Sequence, residues 1–244
     1  MKICNLGHAR SRTTFLIRTL ANYYSLKDLG ETYGSRKKQG QSSDTYKSKI
    51  KSFTNLLFTN DNFIIKVWPR YFCSAPLVDS FENLILELDF YFKFSQYDKI
   101  IITERDPVES LCSLRIGEKF NYNYYTEDQV THYRNVRYEN KENNIIDVNN
   151  KYNKDFLMEI FLMPHIANYL TEKQIPFERL SFDEIPNYCN NYIDSKNLFS
   201  IKKPVPLDSG TDYKLCINNY DEVVDFVHKY KLEVEDQLSQ IRFI

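Results

Sequence analysis

Long apolar runs are missing from this chain. No stretch approaches the roughly 18 consecutive apolar residues that read as a membrane-spanning helix. The opening MKICNLGHARSR lacks the extended apolar segment of a secretory leader, so neither a leader nor a span is expected. Cysteine is sparse and unpatterned. Cys4, Cys73, Cys112, Cys189 and Cys216 are odd in number and form no Cys-x-x-Cys pair, which argues against a disulfide framework and against a zinc site. Reduced, mostly buried thiols in a cytoplasmic setting are the expectation. An excess of one charge is also lacking: 32 Lys and Arg against 33 Asp and Glu leave a formal net charge of -1. The whole molecule therefore exerts no pull on nucleic acid or anionic membrane, and any anion site has to be local.

What is present is globular. Hydrophobic residues make up 42% and charged residues 27% of 244 residues, enough for a sizeable core in one domain spanning 1–244. KICNLG reads as a short strand, followed by a helix with Phe15, Leu16, Leu20 and Tyr24 at helical spacing. A polar Gly/Ser/Lys-rich loop follows, GETYGSRKKQGQSSDTYKSK. FIIKVW, ended by Pro69, is a buried-type strand, and 77–94 has the length and pattern of a helix.

DKIIITERDP gives a third strand, and Pro107 opens a helix in the first-turn position proline favours. The 121–150 segment is polar and holds at least one helix. DFLMEIFLMPHIANYLTEK is a long helix with a bend expected at Pro164. PFERLSFDEI is a fourth strand leading into a turn, KKPVPLDSGTDYK is a loop, and YDEVVDFVHKYKLEVEDQL is an amphipathic helix. Strands alternating with helices of ten or more residues predict an α/β fold with a parallel sheet.

Two stretches carry chemistry. GHARSRTTFL (7–16) follows the first strand and places cations and hydroxyls where a helix begins. A helix N-terminus offers N–H groups and partial positive charge, and in a parallel sheet ligands gather at the carboxyl ends of the strands. Arg10, with Ser11, Thr13 and Thr14, suits phosphate or sulfate oxygens. A capped helix with surface arginines would read the same way when taken alone. The Walker A pattern is not met. TERDPVESLCSL (103–114) repeats the arrangement after another apolar strand, with Arg105 at the strand end and Ser113 two turns into the helix.

Together these stretches resemble the sulfotransferases that use 3′-phosphoadenosine 5′-phosphosulfate (PAPS). The family's first motif, G-x-x-[RK]-S-G-T-T-x-L, is matched by Gly7, Arg10, Ser11, Thr13, Thr14 and Leu16. Its second, R-[DN]-P with a serine eight residues after the arginine, is matched by Arg105, Asp106, Pro107 and Ser113. Phe182-Asp183-Glu184-Ile185 is a weaker echo of the family's Y-E-D-L. The matched residues cover about a tenth of the chain, in the family's order and spacing.

The resemblance implies a P-loop-NTPase-like three-layer α/β fold with a central, mostly parallel sheet flanked by helices. It also implies sulfuryl transfer from PAPS to a hydroxyl or amine acceptor, a glycan or small molecule, leaving 3′,5′-ADP and using no metal. Arg10, Ser11, Arg12, Thr13 and Thr14 would hold the 5′-phosphosulfate, Arg105 and Ser113 the 3′-phosphate, and Phe15 the adenine. Arg10 and Lys66 would neutralise the leaving phosphate. For Lys66 the plainer alternative is a strand-end lysine reaching to solvent.

Two departures stand out. The family glycine is Arg12 here, so either the loop tolerates a side chain or Arg12 points outward toward an acidic acceptor. The K-T-H of many small-molecule enzymes is Lys66-Val67-Trp68, without the histidine. Glu31 in LGETYG is the first candidate for the general base, with His8 and then His132 next; His165 and His228 read as structural. Lys202 and Lys203 are further candidates for donor contacts. Tyr122, Tyr124, Tyr125, Arg134 and Arg137 line an acceptor cleft or decorate the surface. The alternatives from other classes are a nucleotide-dependent kinase and a non-catalytic phospholigand or nucleic-acid module.

Overall fold

The computed structural model describes residues 1–8, 10–30, 59–69, 88, 89, 92, 96–119, 138–193 and 212–239. Strands β1 (Lys2–Gly7), β2 (Lys27–Asp28), β3 (Phe63–Val67), β4 (Lys99–Glu104) and β5 (Glu178–Ser181) form one all-parallel sheet. Its order is β2-β3-β1-β4-β5. Helices α1 (Thr13–Tyr23), α2 (Pro107–Lys119), α3 (Lys151–Glu172), α4 (Glu184–Ile193), α5 (Tyr213–Cys216) and α6 (Tyr220–Leu238) flank it.

Period-two alternation builds two cores, because successive strand side chains point to opposite faces. Cys4, Leu6, Phe63, Ile65, Val67, Ile100 and Ile102 pack with α2, α3 and α6. Ile3, Ile64, Ile101 and Leu180 face the other way, onto Leu16, Ile17 and Leu20 of α1 and Ile185 and Cys189 of α4. Each such aliphatic side chain, taken fully from water, contributes roughly 1.5–3 kcal/mol before entropy is counted. The runs of β1, β3 and β4, broken inside only by the buried Asn5, Lys66 and Thr103, are the mark of strands covered on both faces.

Local chemistry sets the helix starts. Asp106 Oδ1 accepts the Glu109 N–H at 3.0 Å, so the aspartate of the R-D-P turn caps α2. Asn150 Oδ1 accepts the Tyr152 N–H at 3.0 Å and opens α3, which continues through Pro164. At α4 the N–H and hydroxyl of Ser181 both donate to Glu184 Oε2 (2.8 and 2.7 Å), the carboxylate half of a capping box.

Three elements differ from the sequence expectation. The two-residue edge strand β2 is too short to show a pattern. The turn expected after β5 continues into α4, and part of the expected loop before α6 is the short helix α5. The expected 77–94 helix lies largely outside the described residues.

Cys4, Cys112, Cys189 and Cys216 are free and buried. Burial raises the Cys4 and Cys112 thiols and pushes Cys189 up to about 11, so at pH 8 all three remain protonated. Mass mapping after iodoacetamide at pH 8 should find these residues unmodified in native protein and alkylated in urea. Rapid native alkylation of Cys4 would contradict the burial described here.

Candidate functional site

The site follows from strand order. The chain leaving β1 builds outward on the β3/β2 side, whereas β4 lies on the other side of β1 and leads toward β5. The carboxyl ends of β1 and β4 therefore flank a topological switch point, where parallel sheets bind ligands. Both motifs begin there. Gly7 is paired with Thr103 across the two strands.

The loop after β1 is tied down from beneath. A Cβ on Gly7 would come within 2.1 Å of Thr103 Oγ1 and 2.6 Å of Thr13 Cγ2, so close approach, rather than backbone freedom, calls for glycine. Ser11 is fully buried; its hydroxyl donates to the His8 carbonyl at 2.7 Å and meets Thr103 Oγ1 at 3.2 Å. Thr13 is buried, Thr14 is exposed, and Phe15 is half-buried against the α1-side core. Ser11 thus anchors the loop from below, and Thr14 is its outward hydroxyl.

The loop backbone has an uncommon shape. Arg10 and Arg12 both have positive φ (68° and 58°). Arg12 is the residue before α1, which starts without a side-chain cap from it and without an acidic residue in its first turn. The Ser11 N–H donates back to the His8 carbonyl at 3.4 Å, which closes the turn, so the N–H groups left for an anion are those of the first turn of α1. For a non-glycine residue the left-handed region costs roughly 1–2 kcal/mol.

Arg12 turns inward. It is buried; its Nη1 donates to the Phe182 carbonyl at 2.6 Å, and its guanidinium carbon lies 3.7 Å from the Phe182 ring centroid. This sets aside the outward orientation: the loop accepts a side chain at the family's glycine position by burying it against the turn after β5. Arg105 is buried on the same ring, 3.9 Å from the centroid. Its Nη1 donates to the Arg10 carbonyl (3.1 Å), Nη2 to Tyr213 Oη (3.4 Å) and Nε to Glu109 Oε2 (3.3 Å). One guanidinium thus joins the β1 loop, the α2 start, the β5 turn and α5.

Arg10 is half-buried and reaches across to α2. A Cβ at Gly117 would stand 2.1 Å from Arg10 Nη2, so this helix-interior glycine makes room for the guanidinium. Ser113 is buried on α2. Lys66 lies on β3, at the other flank of β1, paired in register with Asn5. It is buried, with its ammonium 4.4 Å from the Trp68 ring centroid. That burial is the opposite of a lysine reaching to solvent. His8 is buried at the end of β1, edge-on to Phe156 at 6.1 Å.

The structure thus gathers Arg10, Ser11, Arg12, Thr13, Thr14 and Arg105 at one edge. Glu31, His132, Lys202, Lys203 and the aromatic and basic candidates within 121–137 lie outside the described residues. Sequence reasoning missed Tyr213 and Gly117, and gave Phe182 only as an echo. Gly117 lies two residues past PVESLCSLR, where a glycine reads as a helix end, and it was missed because α2 runs on to Lys119; Tyr213 had no signal, because its contacts are long-range. Among the described residues, no group of three or more His, Cys, Asp or Glu is placed to hold a metal ion. No helix among them is long and apolar enough to cross a membrane. No protein-family model, curated protein or solved structure matches this chain.

Proposed function

We propose that this protein is a PAPS-dependent sulfotransferase with a P-loop-like nucleotide site at the carboxyl ends of β1 and β4. The observation that carries the reading is the join between the two arginine turns, with Arg105 donating to the carbonyl of Arg10 across the switch point. An isolated phosphate binder has no need of a second arginine turn on a neighbouring strand. A donor phosphorylated at both ends of its ribose does.

In this reading the amides of the first turn of α1, Arg10, Thr13 and Thr14 hold the 5′-phosphosulfate, and Arg105 with Ser113 holds the 3′-phosphate. Phe15 lies along the adenine. The donor supplies an activated sulfuryl group. The acceptor oxygen attacks sulfur in line, the bond from sulfur to the bridging phosphate oxygen breaks, and 3′,5′-ADP leaves carrying the electron pair. Positioning and charge neutralisation account for most of such catalysis. Arg10 and Lys66 serve the leaving phosphate, and a base takes the acceptor proton, with Glu31 first in line.

Thermal shift tests the reading. A ligand at about a hundred times its Kd stabilises by about 2.7 kcal/mol, or roughly 5–10 °C for a chain of this size. That rise is expected with 3′,5′-ADP and not with ATP and Mg²⁺; the reverse order would favour a kinase, and no shift with either a different class.

Gly117→Ala probes Arg10 without touching it. Alanine gains roughly 0.5–1 kcal/mol in a helix interior, and the flexible guanidinium can move aside, so stability should change by less than about 1 kcal/mol. Displacing Arg10 should nevertheless weaken 3′,5′-ADP by about tenfold, the worth of one charge-assisted hydrogen bond. Unchanged affinity by calorimetry would remove Arg10 from the donor site.

A further inference from the structure

Arg105 already carries an anion drawn from its own chain. Its side chain is only 3% exposed and its guanidinium is packed on the Phe182 ring, so its place is fixed and its charge permanent. Three bonds hold it: Nη1 donates to the Arg10 carbonyl, Nη2 to Tyr213 Oη and Nε to Glu109 Oε2. The first two acceptors are neutral. Among the described residues, Glu109 is the one carboxylate bonded to Arg105.

Glu109 is built to let go. It stands in the first turn of α2, where a helix favours negative charge, and its N–H is tied to Asp106 Oδ1 at 3.0 Å. The main chain is thereby fixed, whereas the side chain is 46% exposed and can turn into water. The contact is long, 3.3 Å against the roughly 2.7–2.9 Å usual for a charge-assisted bond. A buried guanidinium without an anion is costly, and Glu109 removes that cost while no ligand is bound. Nε and Nη2 share one edge of the guanidinium, an edge on which an oxyanion docks through two parallel bonds. Glu109 and Tyr213 hold that edge. The tyrosine hydroxyl can rotate and donate to a phosphate, but a second anion beside the carboxylate is repelled.

We propose that Glu109 is a tethered competitor of the 3′-phosphate. It occupies Arg105 in the absence of nucleotide, swings into water as the phosphate docks, and returns as 3′,5′-ADP leaves. The inference rests on the sulfotransferase reading for the identity of the nucleotide; the exchange of one anion for another on Arg105 does not. The consequence is a site that binds less tightly, and empties faster, than Arg105 alone would make it. That suits a reaction whose product keeps the 3′-phosphate of its donor and has to leave before the next donor binds.

The test is calorimetry on the full chain, as wild type, Glu109→Gln and Glu109→Ala, with 3′,5′-ADP and 5′-AMP as ligands and circular dichroism as the folding check. Both variants should bind 3′,5′-ADP about threefold or more tightly than wild type, the upper part of what a half-exposed ion pair is worth. Both should bind 5′-AMP, which has no 3′-phosphate, within about twofold of wild type. Glu118→Gln removes an exposed carboxylate farther along the same helix and should change neither affinity. Unchanged or weaker binding of 3′,5′-ADP by the folded Glu109 variants would make this residue a support of Arg105 and overturn the proposal. Equal strengthening of 5′-AMP, or an equal gain from Glu118→Gln, would overturn it as a general charge effect. Should wild type fail to bind 3′,5′-ADP, the donor reading falls, and inorganic phosphate decides the competitor separately. Phosphate should then shift the Arg105 Nε–H resonance at a lower concentration in Glu109→Gln than in wild type; the same or a higher concentration would overturn the competitor as well.

Discussion

Arg105→Ala should lower affinity for 3′,5′-ADP by about a hundredfold. In the proposed complex this guanidinium gives the 3′-phosphate two charge-assisted hydrogen bonds, worth roughly 1.5 kcal/mol each after exchange with water. It also holds the loop that faces the other phosphate, through the Arg10 carbonyl at 3.1 Å. Arg105→Lys keeps the charge but not the planar fork, and so should recover only a small part of the loss. Calorimetry with circular dichroism as a folding check separates lost contacts from lost structure. A folded Arg105→Ala protein binding 3′,5′-ADP as tightly as wild type would remove the 3′-phosphate site from the account.

The second large effect concerns Arg12. Arg12→Ala removes the 2.6 Å bond to the Phe182 carbonyl and the stacking on the Phe182 ring, but keeps a Cβ at φ 58°. A hydrogen bond from a charged donor is worth roughly 1.5–3 kcal/mol, and a desolvated cation–π contact about 2. Because the two overlap, a stability loss of roughly 2–4 kcal/mol is expected in urea unfolding. Arg12→Gly loses the same contacts yet relieves the left-handed backbone, and should be about 1 kcal/mol more stable than the alanine variant. The reverse order, alanine above glycine, would show that the left-handed conformation is not what this position demands.

The difference between these substitutions marks how much the sequence carried. β1, β3 and β4 were legible because each is a short apolar run ended by turn chemistry, and α6 because its apolar positions recur at helical spacing. That Arg10, Ser11 and Arg105 meet at one edge of the sheet was legible because strand-end motifs imply a position in space through sheet topology alone.

What could not be read is the partner of each side chain. Nothing local to Arg12 says that it meets Phe182, 170 residues away. Nor does the spacing around Tyr213 announce a contact with Arg105. The α4 helix escaped for another reason. Its Ser181–Glu184 capping box was present, but Pro186 and the run of asparagines in PNYCNNY resemble turn sequence, and only packing of Ile185 and Cys189 against α1 decides for helix.

The organisation of the site also explains why its arginines are compatible with a net charge of -1. Arg12 and Arg105 both stack on Phe182, and Arg105 also meets Glu109. Positive potential is thereby local to the first turn of α1 and the arginines beside it, which suits a small anion better than an extended polyanion.

The central claim is that the two arginine turns grip opposite ends of one nucleotide. Isothermal titration of wild-type protein with 3′,5′-ADP and with 5′-AMP, at one ionic strength, tests it most directly. Loss of the 3′-phosphate removes at least one set of charge-assisted bonds, so 3′,5′-ADP should bind about tenfold or more tightly than 5′-AMP. Equal affinities, or tighter binding of 5′-AMP, would contradict the account.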